Sequence, residues 1–165
     1  MEQYEIKGLR LPPLMVQLLQ QGRWQHPGDE SIRRLIPFFQ EPVNFLTTVE
    51  AIWRESRCAL ADNPRTALVF QVARGSESAE PIHLPWLDVE LAVSVAVNRF
   101  LGDDLLIVLD YRTGAEHPRV VANDWHSEAG GCVWREVAPS FPEFARLLEV
   151  SLAEMDRSAA KLGPL

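Results

Sequence analysis

Hydrophobic positions in the first third of the chain follow helical spacing. An apolar stripe between Pro13 and Gly22 predicts a first helix, because proline is tolerated in a first turn and glycine is common just after a last one. A short second helix is expected to end near Leu35, with Asp29 or Ser31 as its N-terminal cap. Prolines then interrupt the pattern, which predicts a connection before the next element.

A longer third helix is predicted from Phe45 to about Leu60. Asn44 stands directly before it, and an asparagine side chain is a good acceptor for the free N–H groups of a first helical turn. The apolar positions fall on one face, which is the pattern of a helix packed against a core. These positions are Phe45, Leu46, Val49, Ile52 and Trp53. Residues 1–62 are therefore expected to be mainly helical.

After residue 62 the pattern becomes extended, and residues 63–138 are expected to be mainly strands. Residues 90–97 alternate between large and small apolar side chains, which predicts a half-buried strand. The larger side chains, all on one face, are Leu91, Val93, Val95 and Val97. Residues 105–109 are apolar on both faces, which is the pattern of a central strand. Further strands are expected at residues 66–73 (with a helix left open there), 119–122 and 132–138.

A capping pair begins the last predicted element. Ser140 is followed three residues later by Glu143, a spacing that favours a helix start, so residues 139–158 are predicted to form a C-terminal helix. Helices come first, strands follow and one helix ends the chain, and this segregated order is typical of the α+β class. The expectation is one domain over residues 1–165, with helices packed on an antiparallel or mixed sheet of about four to six strands.

Charge is distributed unevenly along the chain. The net charge is −7, and residues 1–60 sum to zero, so the whole acidic excess belongs to residues 61–165. Acidic surfaces repel phosphates, which argues against nucleic acid or an anionic membrane as the ligand. A basic protein partner is compatible with this charge, and simple solubility is an equally open explanation. The acidic, polar N-terminus and the lack of an apolar run of about 18 residues predict a cytoplasmic protein.

Motifs for metal, cofactor or covalent chemistry are weak. Cys58 and Cys132 have no ligand partner at useful spacing and are expected to be buried apolar side chains. The four histidines stand singly, and no phosphate-binding glycine loop occurs, so no cofactor and no metal are predicted. Asp103 and Asp104, with Asp110 nearby, could bind a hard cation, but a Gly-Asp-Asp turn between two strands explains them better.

The end of the predicted central strand offers candidate contacts for a partner. Arg112 can pair with a carboxylate, either on a partner or inside the chain at Asp110, Asp124 or Glu136. An exposed tryptophan anchors protein interfaces well, whereas a buried one is part of the core. The predicted partner-binding residues are Asp103, Asp104, Asp110, Arg112 and Trp125.

Residues 85–150 contain a set of short motifs: Gly102-Asp103-Asp104 before an apolar strand, Asp110-Tyr111-Arg112, Pro118-Arg119-Val120-Val121, Trp125, and Trp134 leading into Val137 to Phe144. Through these motifs the segment resembles the SUKH superfamily, which includes fungal cell-wall-synthesis regulators and bacterial immunity proteins. The resemblance implies an α+β domain with a bent sheet, without catalytic residues of its own, that acts by binding other proteins. A basic toxin domain, such as a nuclease, is the partner that it implies.

The leading hypothesis is therefore a non-enzymatic protein-binding module, an immunity-type or regulatory protein that covers a partner's functional surface. One alternative is a structural or self-associating subunit, such as a homodimer, which would need the Leu91–Val97 face to be partly exposed. The other is a small cation-dependent hydrolase that uses the acidic cluster.

Overall fold

A five-stranded antiparallel sheet, in which each strand pairs with the next one along the chain, organises the fold. The computed structural model describes residues 4–61, 87–100, 105–126 and 133–149. Its strands are β3 (Val43–Phe45), β4 (Ala92–Asn98), β5 (Leu106–Asp110), β6 (Arg119–Asp124) and β7 (Val133–Ala138). A separate hairpin pairs β1 (Glu5–Ile6) with β2 (Leu9–Arg10). The helices are α1 (Pro13–Gln20), α2 (Asp29–Leu35), α3 (Val49–Ala61) and α4 (141–149), with 3-10 turns at Val89–Leu91 and Tyr111–Thr113. The predicted α+β class is confirmed.

Apolar side chains on one face of the sheet form the main core, and this face is called the helical face below. It presents alternate residues of the central strands, such as Val93, Ile107 and Val120, to the helices. Trp24, just after α1, stacks on Phe45 with ring centroids 4.6 Å apart and lies 5.4 Å from Phe141 of α4. Burial of an aromatic side chain of this size stabilises a fold by about 2–3 kcal/mol, so Trp24 ties three elements together.

The opposite face of the sheet buries a smaller cluster. Its members are Leu87, Ala92, Val108, Val121 and Trp134. Because β5 and β6 carry buried side chains on both faces, the prediction of a central apolar strand at 105–109 is confirmed.

Strand β4 differs from the predicted half-buried strand. Residues 92–96 are all buried, and a bulge between Ser94 and Ala96 shifts the alternation by one position. Val93 and Val95 are 0% exposed, whereas Leu91 and Val97 are half-buried, so only the two ends of the face considered for self-association are partly exposed. Strand β3 covers only the last part of β4, and the hydroxyl of Ser56 on α3 accepts the N–H of Ser94 at 2.9 Å.

Two helix starts also differ from the predictions. Asn44 and Phe45 belong to β3 because they pair with β4, and α3 begins later, where Thr48 Oγ1 accepts the N–H of Ala51 at 3.1 Å. Helix α2 follows Gly28 without a side-chain cap. The Ser140 cap of α4 is confirmed, since its Oγ accepts the N–H of Glu143 at 3.4 Å.

Some predicted features fall outside the described residues: the strand at 66–73, Asp103, Asp104, the side chain of Cys58, and Cys132. Among the helices of the described ranges, none has the length and apolar character that crossing a bilayer requires.

Candidate functional site

One end of the sheet buries a cluster of charges, and it is called the arginine end, where β5 stops at Asp110 and β6 starts at Arg119. The two residues are cross-strand partners. The Asp110 carboxylate accepts hydrogen bonds from Nε and Nη2 of Arg112 and from Nε of Arg119, each at 2.8 Å. It also accepts the backbone N–H of Arg112 at 3.1 Å. Two cations thus share one carboxylate, and Arg119 reaches a second one on Glu136 at 3.4 Å.

Asp110 stays ionised in this cluster. Burial works to raise the pKa of its carboxyl, but the hydrogen bonds from Arg112 and Arg119 and the positive charge of Arg112 outweigh burial and hold the pKa below its usual value. The side chains of Asp110 and Arg112 are 0% exposed. A buried and paired carboxylate of this kind fixes the geometry of the strand ends, because separating the pair would leave an uncompensated charge in the interior.

The internal pairing of Arg112 with Asp110, one of the options that the sequence left open, is confirmed. The prediction that the pair contacts a partner stays a prediction, and neither side chain presents a surface for it here. Trp125 lies six positions beyond Arg119, about 20 Å away at about 3.3 Å per strand residue. The candidate contacts among the described residues therefore do not form one site.

The hairpin of β1 and β2 is fastened to the arginine end. Tyr111 is buried and donates its hydroxyl to the carbonyl oxygen of Arg10 at 2.7 Å. Burial also raises the pKa of Tyr111, so its hydroxyl remains a hydrogen-bond donor at any physiological pH.

The other end of the sheet exposes aromatic rings, and it is called the aromatic end. Strands β4 and β6 both run antiparallel to β5, so both finish at this end. Phe100 follows β4 and is 57% exposed, and Trp125 follows β6 and is 39% exposed. One strand separates β4 from β6, which places their backbones about 10 Å apart. Two large exposed apolar side chains thus follow strands that finish at the same end of the sheet, with β5 between them.

A clamp of hydrogen bonds around Arg99 holds the residue before Phe100. The Arg99 guanidinium donates two bonds to the Asp29 carboxylate at 3.0 and 2.8 Å. It also donates to Asn44 Oδ1 and to the Val43 carbonyl oxygen, each at 3.0 Å. The Arg99 hydrogen bond lowers the pKa of Asp29, although burial opposes it. The clamp joins α2 and β3 to the end of β4, directly before Phe100.

A second polar anchor flanks Trp125. The Asp124 carboxylate accepts Arg135 Nε at 2.8 Å and the backbone N–H of His126 at 2.9 Å. Burial works to raise the pKa of Asp124, and these bonds and the Arg135 charge lower it overall. The Arg135 guanidinium in turn lies 5.9 Å from the centre of the Phe38 ring. Both exposed aromatics therefore follow residues whose backbone is fixed by charged groups.

His26 lies against the Arg99 clamp. Its Nδ1 accepts the N–H of Gly28 at 3.0 Å, and its Nε2 lies 3.5 Å from Asp29 Oδ1. The ring packs edge-on against Phe45 at 5.3 Å between centroids. Burial lowers the pKa of His26, with Arg99 acting in the same direction and Asp29 against it. The imidazole is therefore neutral at pH 7, as an acceptor at Nδ1 must be.

Sequence reasoning identified Trp125 but missed Phe100 and Arg99. Trp134 was also a candidate, but its side chain is buried, whereas that of Trp125 is exposed. A bulky aromatic placed directly after the polar pair Asn98-Arg99 at a strand end was an available signal for Phe100. The role of Arg99 depends on Asp29, which is 70 residues away in sequence, and no local pattern indicates that contact.

No protein-family model, no curated protein and no solved structure matches this chain. The SUKH resemblance thus rests on the residues quoted for it. Within the described ranges, histidine, cysteine, aspartate and glutamate side chains form no group of three or more that could hold a metal ion.

Proposed function

We propose that this chain is a non-enzymatic protein-binding module whose contact surface is the aromatic end. The observation that carries the proposal is the exposure of Phe100 and Trp125 just after two strands that finish at the same end of the sheet. Aromatic side chains dominate the binding energy of protein interfaces because they bury a large area with few rotatable bonds. Transfer of such a ring from water into an interface contributes about 2–3 kcal/mol.

Preorganisation of the two aromatics supports the proposal. Binding loses affinity when it must first order the contact residues. The Arg99 clamp and the Asp124 anchor fix the backbone before Phe100 and Trp125, so this cost is small at the aromatic end. The arginine end has a supporting role in the proposal: Asp110 and Arg112 hold the strand ends that orient the sheet.

The proposed mechanism is occlusion of a partner's functional surface by an immunity-type or regulatory protein. A net charge of −7 favours a basic partner, since complementary charge speeds encounter and rejects wrong partners. A basic toxin domain is the partner class that the SUKH resemblance implies. Asp103 and Asp104 follow Phe100 by three and four positions in sequence, and they remain proposed polar contacts.

A pull-down with matched variants tests the proposal. Wild-type protein, the double variant Phe100→Ser/Trp125→Ser and the control Trp53→Ser serve as baits in lysate of the native source. Trp53 is 46% exposed on α3, so the control removes an exposed aromatic from a different element. The expected result is one basic protein that wild type and the control retain and the double variant loses. Equal retention by all three baits, or no specific protein on wild type, contradicts the proposed surface.

A charge variant tests the acidic part of the proposal. Asp103→Lys/Asp104→Lys should retain less of the same partner, and the retained fraction should depend less on salt concentration. An unchanged affinity in a folded variant would remove these two residues from the proposed contacts and leave the aromatic end in place.

A further inference from the structure

A small cavity lies along the opposite face of β4 and β5. It extends from Ala92, towards the arginine end, to Asn98, towards the aromatic end, and its volume is about 60 Å³. The β1–β2 turn and α3 contribute to its wall, and Leu87 and Val108 give it an apolar side. A water molecule needs roughly 10–15 Å³ on this measure, so the cavity has room for a molecule of about four to six heavy atoms.

Two buried serine hydroxyls in the cavity wall have unused hydrogen-bonding capacity. Ser56 on α3 and Ser94 on β4 are only 8% and 7% exposed. The Ser56 hydroxyl accepts the N–H of Ser94 at 2.9 Å, and its own proton has no acceptor among the described residues. The Ser94 hydroxyl makes no hydrogen bond within the described part of the chain. Because buried hydroxyls are costly to leave unsatisfied, they indicate a polar occupant of the cavity.

Opposite charges line the same cavity. Lys7 contributes an ammonium group and Glu55 a carboxylate. Burial lowers the pKa of Lys7, while the charges of Glu90 and Asp88 act against burial and favour the ammonium form. Glu55 has its own neighbour, since Arg54 Nε lies 3.1 Å from its Oε1. An ammonium group has three donors and a carboxylate about four acceptor positions, so each can contact a ligand while it keeps its present neighbours.

The backbone at Lys7 also indicates a role for this side chain. Ile6 and Leu9 are paired across the hairpin, so Lys7 and Gly8 form a two-residue turn, with φ values of 55° and 78°. Turns of this type strongly prefer Asn-Gly or Asp-Gly, because few residues other than glycine adopt a positive φ at low cost. The turn itself therefore gives no reason for a lysine, and strain of this kind is common at functional positions.

We propose that the cavity binds a small zwitterionic α-amino acid, such as glycine or alanine. The carboxylate of the ligand is held by Lys7, its ammonium group is held by Glu55, and the hydroxyls of Ser56 and Ser94 complete the polar contacts. A ligand with a single charge would match one of the two charged residues and oppose the other, whereas a zwitterion matches both. Glycine and alanine have about five or six heavy atoms, which fits the cavity volume. This site does not depend on the proposed function.

Titration of the isotope-labelled wild-type protein with free alanine tests the proposal. Amide chemical shifts in β4 and β5 report binding. Propionate, which lacks the ammonium group, and ethylammonium, which lacks the carboxylate, are the matched probes, and free leucine tests the size limit. The expected result is a saturable shift with alanine, binding of either half-ligand at least about tenfold weaker, and no saturable shift with leucine. Alanine that binds no tighter than the other three compounds, or that gives no saturable shift, would overturn the proposal.

Variants of the cavity wall separate ligand contacts from a general effect of charge. Glu55→Gln should bind alanine at least about tenfold more weakly and should lose the preference for alanine over propionate. The control Glu30→Gln removes an exposed carboxylate on α2 that is paired with Arg34, and it should bind alanine like wild type. Ser94→Ala keeps the cavity open and should weaken alanine binding severalfold. A folded Glu55→Gln protein that keeps the preference, an unchanged affinity in folded Ser94→Ala, or an equal loss in Glu30→Gln would contradict the assigned contacts.

Discussion

The two ends of the sheet differ in which side chains they bury and which they expose. At the arginine end, charged side chains are buried and paired with each other around Asp110. At the aromatic end, large apolar rings are exposed, and the charged residues beside them are used to hold the backbone. Each end reverses the usual rule of apolar inside and charged outside. The comparison teaches that residue type alone does not indicate a contact surface, because exposure depends on what the neighbouring strands bring to the same place.

The largest expected effect is at the arginine end. Asp110→Asn removes the negative charge that the buried Arg112 and Arg119 guanidinium groups share. The free energy of unfolding should fall by about 3–5 kcal/mol, measured by urea denaturation at pH 7. Glu143→Gln, which removes an exposed ion pair with Arg146, is the control and should change little. Equal effects of both variants would mean that the buried cluster adds no stability.

Acid should weaken the same cluster. The folded-state pKa of Asp110 is lowered, so its contribution is present above the unfolded pKa of about 3.9 and is lost as the pH falls through the folded value. Wild type should therefore lose more stability than Asp110→Asn between pH 5 and pH 2. Parallel pH profiles would contradict the ionised state of this carboxyl.

The clamp at the aromatic end should matter less to stability, since Arg99 and Asp29 are both partly exposed. Arg99→Ala should lower the free energy of unfolding by about 1–2 kcal/mol, because it breaks charged hydrogen bonds that water can partly replace. Arg99→Lys should recover only part of this loss, since an ammonium cannot make the two-pronged contact with a carboxylate. Full recovery in the lysine variant would show that the positive charge alone accounts for the contribution of Arg99 to stability.

His26 should make the aromatic end sensitive to mild acid. Its folded-state pKa is lowered, so the unfolded chain binds more protons at pH values below about 6.5. Stability should therefore be constant above that value, fall as the pH drops towards the folded pKa, and level off below it. His26→Gln should remove this part of the pH profile, measured as the urea midpoint between pH 7.5 and pH 5. An identical slope in the variant would exclude His26 as its source.

The smallest change is expected at Lys7, outside both ends. Lys7→Asn places a favoured residue in the β1–β2 turn and should raise the free energy of unfolding by about 0.5–1 kcal/mol. The measurement is again urea denaturation, with Lys7→Arg as the control that keeps the strain. A loss of stability in the asparagine variant would show that contacts of the lysine side chain outweigh the strain of its backbone.

Local patterns predicted much of the fold. The apolar run at 105–109, the alternation near 90–97 and the Ser140 cap are local signals, and each led to an element of the correct type. Phe45 was wrongly predicted to begin a helix because its spacing fits α3, whereas pairing with Ala96 makes it a strand residue. The bulge after Ser94 could not be predicted from the local pattern either, since it depends on the register between β4 and β5.

The candidate site was less predictable for the same reason. Arg112 and Asp110 are two positions apart, so their pairing was among the foreseeable options. The second cation, Arg119, joins them only through the cross-strand register of β5 and β6. Phe100 and Trp125 lie at the same end of the sheet because β4 and β6 run in the same direction, which is a property of sheet topology. Contacts between distant parts of the chain therefore carry the information that the sequence pattern lacks.

The most direct test of the account compares the two ends by binding. Isothermal titration of the captured partner against Phe100→Ala/Trp125→Ala and against Glu136→Ala separates the aromatic end from an exposed carboxylate at the arginine end. The predicted result is an affinity loss of about 30-fold or more for the aromatic variant, corresponding to at least about 2 kcal/mol. Its free energy of unfolding should stay within about 0.5 kcal/mol of wild type, and Glu136→Ala should bind normally. Unchanged affinity in the aromatic variant, or a greater loss in Glu136→Ala, would contradict the assignment of the contact surface.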